Sequence, residues 1–465
     1  MDLANLTSQV ITVDGFVWQP FFMPTVLVLV GLLISIRTGL IQIRRFPIAV
    51  RTTLQGAFQK KSSAAEGTIK PFQALSTALA ATVGNGNIGG VATAITVGGP
   101  GAIFWMWVCA AVGMATKYAE AVLAVHYRVT RETGELASGP MYYITKGIPN
   151  QALGKVLAYA FAFFGMVAAL FGTGNMAQSN TIADSFVLAA KDIFNLEVSV
   201  WVPSLLITAC VGLVLVGGIK RIAAVAEAIV PTMIVVYVTA ALYYVVMNAG
   251  ELPSVFSLIL SSAFSPAAAI GGFVGVGVKQ AIATGMSRGV LSNEAGLGSA
   301  PIAHGIADVD HPVEQGLVGV FEVFIDTILV CSMTAFIILS SGLWSEPAFQ
   351  NASGSLTAAA MGTTIPGAAL IVATCSFFFG FSTLIGWAYY GEKCFEFLFG
   401  SGGIKAYKAV FTVLVLVGGI IPVPLVWAVG TLLNGFMAFP NLIGLMFLVG
   451  TVSKLTKQFF ATDSV

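Results

Sequence analysis

Eleven runs of mostly apolar residues, each near the roughly 20 residues a helix needs to cross about 30 Å of hydrocarbon, divide this chain. They fall at about Trp18–Ile36, Phe72–Val97, Ala102–His126, Val156–Phe186, Val200–Gly217, Ala223–Met247, Pro266–Gly289, Leu317–Leu343, Gly367–Tyr390, Ala409–Pro424 and Leu432–Val452. In lipid each backbone N–H and C=O must find its partner inside the protein, so runs of this length are read as helices. Charge excludes the soluble alternative. Only 9% of the residues are charged, against about 25% in soluble domains. A net charge of +1 gives no bias toward nucleic acid. The expected fold is an all-α integral membrane protein whose outer surface faces the bilayer.

Basic residues orient the spans. Asp2 and Asp14 precede the first run, and Arg37, Arg44, Arg45, Arg51, Lys60, Lys61 and Lys70 follow it. With the N-terminus outside, all but Lys117, Lys279 and Lys191 of the 22 Lys and Arg fall on the cytoplasmic side. An odd number of spans then leaves the C-terminus in the cytoplasm of a multi-pass cell-membrane protein. The N-terminal MDLANLTSQV lacks the positive stretch of a signal peptide, so the first run is read as a true span. The five cysteines are dispersed without metal or disulfide spacing and read as small apolar side chains.

Two runs differ from the rest. The second holds ALAATVGNGNIGGVATA (78–94), and the seventh holds IGGFVGVGVKQAIATGMSRG (270–289). Glycine weakens a helix by about 1 kcal/mol per residue, and both runs add polar groups at bilayer depth. Five positions apart in the order, they run in opposite directions. Interrupted helices at matching places in two inverted halves mark a transporter site near the midplane. The chain then divides into 1–70 (external N-terminus, first span, basic loop), 71–250 and 251–455 (two five-helix repeats), and a tail at 456–465. Gly84, Gly86 and Gly89 also satisfy G-x-G-x-x-G, but that fingerprint belongs after a strand in a βαβ unit, not inside an apolar run.

The breaks suit a zwitterion. Amides of Val83, Gly84, Asn85, Gly86 and Asn87 at the start of a half-helix would receive a carboxylate. Carbonyls freed at Ala80 and Val83 would receive a small cation. In the fourth run Phe171, Asn175 and Gln178 fall on one helical face, as Phe379, Ser382, Thr383 and Trp387 do in the ninth. Buried hydroxyls also commonly bond their own helix backbone. Ionisable residues inside spans are functional candidates. Lys117 and Glu120 have spacing for a pair, Lys279 lies near the second break, and Glu322 and Asp326 stand one turn apart. His126, His304 and His311 are expected in or beside solvated loops.

GGPGAIFWMWVCAAVGM (98–114) closely resembles the signature of the alanine or glycine:cation symporter family. TVGNGNIGG, RGVLSNEAGLGSAPIA (288–303) and GWAYYGEKCFE (386–396) resemble further stretches of it, and the likeness runs from about Phe16 to Lys454. It implies a leucine-transporter-like five-helix inverted repeat plus one N-terminal helix. It also implies symport of a small neutral amino acid (alanine, glycine or serine) with co-transported sodium, by alternating access. By this resemblance Val83–Asn87 hold the amino acid's main-chain groups, with Gln178 and an unwound Ile282, Ala283, Thr284 and Gly285 as further ligands. Phe171, Thr383 and Trp387 close the pocket. Sodium falls on carbonyls of Ala80, Val83 and Phe379 and hydroxyls of Ser382 and Thr383. The family pattern has Gln-Gly-Val-Lys-Arg-Gly where this chain has Thr284-Gly285-Met286-Ser287-Arg288-Gly289.

Rival readings are a proton-coupled carrier using Glu322, Asp326 or Lys279, a channel, a membrane enzyme, and a sensor that binds without transport. The sequence offers no nucleophile–base pair or metal cluster for an enzyme. Sodium dependence, a continuous pore and net uptake separate the others.

Overall fold

The computed structural model describes residues 3–58, 68–131, 134–264, 277–349, 354–421 and 423–462. Lys60, Lys61 and residues 266–276 of the expected seventh span lie outside them. The described chain is almost entirely helical. α1 (Leu3–Val17) leads into α2 (Met23–Arg37), α3 (Ile41–Arg44) and α4 (Phe46–Phe58). The second span is α5 (Pro71–Thr82) and α6 (Val91–Gly98), and α7 (Gly101–His126) follows. A hairpin, β1 (Val129–Thr130) and β2 (Leu136–Ala137), pairs Val129 with Ala137 ahead of α8 (Pro140–Gly147). α9 (Gln151–Phe171) and α10 (Met176–Phe194) form the fourth span, followed by α11 (Trp201–Leu215), α12 (Gly218–Met247) and α13 (Leu252–Phe264). α14 (Val278–Asn293) and α15 (Pro301–His304) make the seventh. α16 (Pro312–Val323) and α17 (Ser332–Ser341), joined through a wider π-turn segment at Phe324–Cys331, make the eighth. After α18 (Gly354–Gly362) come α19 (Ala368–Phe399), α20 (Ile404–Ile420) and α21 (Val423–Thr462).

Seven of the described helical stretches are long and apolar enough to span by themselves, and α2, α11 and the stretch Ala249–Phe264 that contains α13 are shorter apolar helices. The N-terminal segment and the basic loop are not simply loops. α1 packs along α21, with Trp18 Nε1 donating to the Thr431 carbonyl (3.2 Å), and α4 packs on α16.

The seventh span departs from the sequence reading. Ile282, Ala283, Thr284 and Gly285 sit inside continuous α14, and the chain leaves helical geometry only after Asn293. Glu294, Gly296 and Gly298 then have φ of 55°, 91° and 83°, left-handed values that a helix cannot contain. The glycines of α14 serve packing instead. A methyl on Gly285 would meet the Ala102 carbonyl and the Trp105 side chain, and one on Gly289 would press on Cys109. α14 therefore lies backbone-close along α7, as small residues allow in membranes. Lys279, expected near a break, is exposed at the start of α14.

Gly285→Ala should therefore lower stability in detergent by ~1–3 kcal/mol through overpacking. Gly250→Ala, facing open space, should leave the unfolding temperature unchanged. Equal melting of both variants would contradict this packing role.

Candidate functional site

The first break is built by Gly84-Asn85-Gly86. A continuing helix would give the Gly84 amide to the Ala80 carbonyl; instead it donates to Asn87 Oδ1 at 2.9 Å. The Asn85 amide turns to Gln178 Oε1 at 3.2 Å, and the Asn87 amide to the Gly84 carbonyl at 3.0 Å. The Ala80 and Val83 carbonyls thus lose the amides that helical continuation would supply. The chain re-enters helix through a π-turn at Gly86–Gly90. Of the amides expected to await a carboxylate, Gly84 and Asn85 are held by side-chain oxygens, and Val83 still bonds the Leu79 carbonyl.

Three other spans converge here. Gln178 on α10 also donates to the Thr173 carbonyl (2.9 Å). On α19, Ser376 donates to Asn85 Oδ1 (2.7 Å), and Ser382 and Thr383 both donate to the Phe379 carbonyl at 2.9 Å. These last two are the intrahelical bonds that such residues make in any helix. Their setting is particular: Thr383 Oγ1 occupies the space where a Gly84 side chain would begin, and Gly386 lies against Ala81. The hydroxyl pair therefore sits beside the end of α5. Val83, Asn85, Asn87, Phe379, Ser382, Thr383 and Trp387 are all at most 3% exposed. A methyl on Gly86 would face Ser292 Cα at 3.7 Å. The Trp387 indole packs against Gly174 in the gap between α9 and α10, and its Nε1 donates to Glu294 Oε1 at 2.7 Å. It thus links the α9–α10 gap to the second break.

Not every expected residue joins them. Phe171 ends α9 and is 41% exposed. The helix opens at Gly172–Asn175, so Phe171, Asn175 and Gln178 do not share one continuous face. Asn175 points away, donating to the Phe411 carbonyl (3.1 Å). Half-buried Ile282 and Ala283 lie on α14, and Thr284 packs against Gly98 of α6, well before the break.

Around the breaks lies a set of fully buried charges that pair differently from their sequence spacing. Lys117 bonds Glu322 (3.2 Å), not Glu120. Glu322 also takes Thr82 Oγ1 (2.8 Å) and His304 Nε2 (2.6 Å), and His304 Nδ1 meets Gln315 Nε2 (2.7 Å). His304, expected in a solvated loop, is 0% exposed. Glu120 instead serves the second break, accepting from the Gly298 amide (3.0 Å) and Asn441 Nδ2 (2.6 Å). Glu294 receives Ser299 Oγ at 2.7 Å. Asp326, in the second π-turn segment, accepts from Asn87 Nδ2 (2.7 Å), Ser292 Oγ (2.8 Å) and Thr327 Oγ1 (2.7 Å), so the two π segments meet there. Asn441, Ser292 and Gln315 carry no isolated sequence signal. Glu294 and His304 adjoin or lie within RGVLSNEAGLGSAPIA, whose glycines at 296 and 298 mark the true break.

A family described as the sodium:alanine symporter family matches residues 3–464. Sodium/alanine symporter AgcS of Methanococcus maripaludis is 47% identical over 461 residues, which are 99% of this chain and 98% of that protein. "Probable sodium/glutamine symporter GlnT" of Bacillus subtilis is 37% identical, over 92% of this chain and 86% of its own. The solved structure of MhsT in complex with L-phenylalanine matches with a TM-score of 0.56 at 12% identity, covering 84% of this chain and 99% of that one. At that identity the likeness is one of fold, and the fold is that of the leucine transporter.

Replacing Glu322 by Ala should strand Lys117 in the bundle and destabilise the protein by ~3–5 kcal/mol, read as a lower unfolding temperature in detergent. The double variant Lys117→Met/Glu322→Leu should regain much of that loss. A double variant no more stable than Glu322→Ala would show that Lys117 does not depend on this pair.

Proposed function

The chain belongs to the sodium:alanine symporter family, and we propose that it carries a small neutral amino acid into the cell with sodium by alternating access. The observation that carries the reading is the meeting of an interrupted α5–α6 with Gln178, Thr383 and Trp387 in one buried place. A substrate carboxylate takes over the Gly84 and Asn85 amides as Asn87 Oδ1 and Gln178 Oε1 turn aside. Gln178 and Asn85 supply neutral polar partners for the rest of the zwitterion. Sodium, a hard cation, takes carbonyls of Ala80, Val83 and Phe379 with the hydroxyls of Ser382 and Thr383. The indole of Trp387, fixed by Glu294, limits side-chain size; discrimination by one methylene is worth about 1–3 kcal/mol. Residues 282–285 support α14 rather than contact substrate, and the irregular stretch from Glu294 to Ala300 faces the site in their place. The charge distribution favours an external N-terminus and a cytoplasmic C-terminus.

A glutamine-sized substrate is the second reading, favoured by the relative whose name carries glutamine. The deciding experiment is uptake of labelled alanine, glycine, serine and glutamine into proteoliposomes of purified protein, with inward sodium or matched potassium. Alanine accumulating only with sodium is the expected result. Accumulation of all four in potassium, or of none in sodium, would overturn it. Ser382→Ala and Thr383→Ala should raise the sodium concentration for half-maximal uptake with little change in unfolding temperature. Trp387→Ala should admit larger side chains; unaltered selectivity would remove the indole from the pocket wall.

A further inference from the structure

Two cavities lie in line along the seam between the first span, α2, and the last, α21. One is an apolar groove of about 350 Å³ lined by Val30 and Leu33 of α2 and by Leu442 and Met446 of α21. The other, of about 470 Å³, begins one turn further along α2 at Ile36 and Arg37, and about 10 Å further along α21 at Ser453. Left-handed turns at Gly39 and Leu40 (φ 69° and 56°) fold α3 back, so Arg44 and Arg45 also line it. Lys457 of α21 brings the cations in the lining to four, with no Asp or Glu in it among the described residues.

None of these four makes an ion pair with an acid among the described residues. Arg45 lies over the Phe460 ring at 4.4 Å, while Arg37, Arg44 and Lys457 are exposed. Beside them Ile36 is 72% and Ile43 68% exposed, apolar surface proper to the edge of the hydrocarbon. Four like charges around one hollow repel unless an anion sits among them. A soluble anion would explain the cations but not the groove continuing from them along the same two helices. A zwitterionic headgroup would bring an ammonium into a lining without a carboxylate.

We propose that this seam is a binding site for an anionic phospholipid. Its phosphate is held by Arg37, Arg44, Arg45 and Lys457, and an acyl chain lies in the groove against Leu33 and Met446. The site requires only that α2 and α21 cross the bilayer, and it stands whether or not the transport reading does. The lipid bridges the first span to the last across their ends.

Native mass spectrometry of the full chain, released from detergent carrying either phosphatidylglycerol or phosphatidylcholine, tests this. The expected result is a retained phosphatidylglycerol adduct, at least tenfold weaker in Arg37→Gln/Arg44→Gln/Lys457→Gln, with no matching phosphatidylcholine adduct. Leu33→Trp, which fills the groove and leaves the cations, should also weaken the adduct. Equal retention of both lipids overturns the proposal, as does an adduct unchanged in the triple variant. Displacement of the lipid by equimolar inorganic phosphate overturns it too, because the site would then read phosphate alone. The unfolding temperature of each variant in lipid-free detergent is expected to equal that of the parent, which separates lost binding from lost fold.

Discussion

A peptide group that leaves a helix inside hydrocarbon has no water to turn to, so every unwound residue in this bundle must be answered by the protein itself. That requirement accounts for most of the polar residues at the centre of the molecule. Asn87 and Gln178 receive amides of the first break, while at the second Glu120 receives the Gly298 amide and Asn441 donates to the Gly296 carbonyl. Apart from Asn87, these partners come from spans far apart in sequence. The polar groups of each break are therefore fully satisfied only once the spans have assembled around it.

Glu322 ties this arrangement together. One oxygen meets Lys117 of α7 and Thr82 of α5, and the other meets His304 of α15. Thr82 is the last helical residue before the first break, and His304 ends the short helix after the second. A single buried carboxylate thus holds the half-helices beside both breaks to α16. Pairs of this kind add little net stability but are costly to break on one side. Here the carboxylate holds Thr82, and with it the end of α5, against α16 and α7.

Close approach supplies the rest of the geometry. Thr383 reaches the first break because position 84 has no side chain, and Trp387 enters the gap between α9 and α10 because position 174 has none. The same absence lets α14 lie along α7 at Gly285 and Gly289. Glycine therefore does two jobs in this chain, unwinding one helix and tightening another. The neighbouring side chains decide which.

The helical membrane fold and the first break followed from the sequence alone. Their causes are local: the length of an apolar run sets a crossing, and Gly-Asn-Gly with flanking polar groups cannot hold a helix. Helical period alone also puts the hydroxyls at 382 and 383 and the indole at 387 on one side of α19. Tertiary structure decided what depends on partners. It made 282–285 a packing face and moved the second opening to 294–300. It broke the shared face of Phe171 and Gln178, and it drew His304 out of a supposed loop into contact with Glu322. It also gave Lys117 to Glu322 rather than to Glu120 one turn away. Spacing along a chain lists the pairs a helix permits; which pair forms is settled by the spans that pack beside it, because inside a membrane a buried charge goes to whichever partner can meet it there.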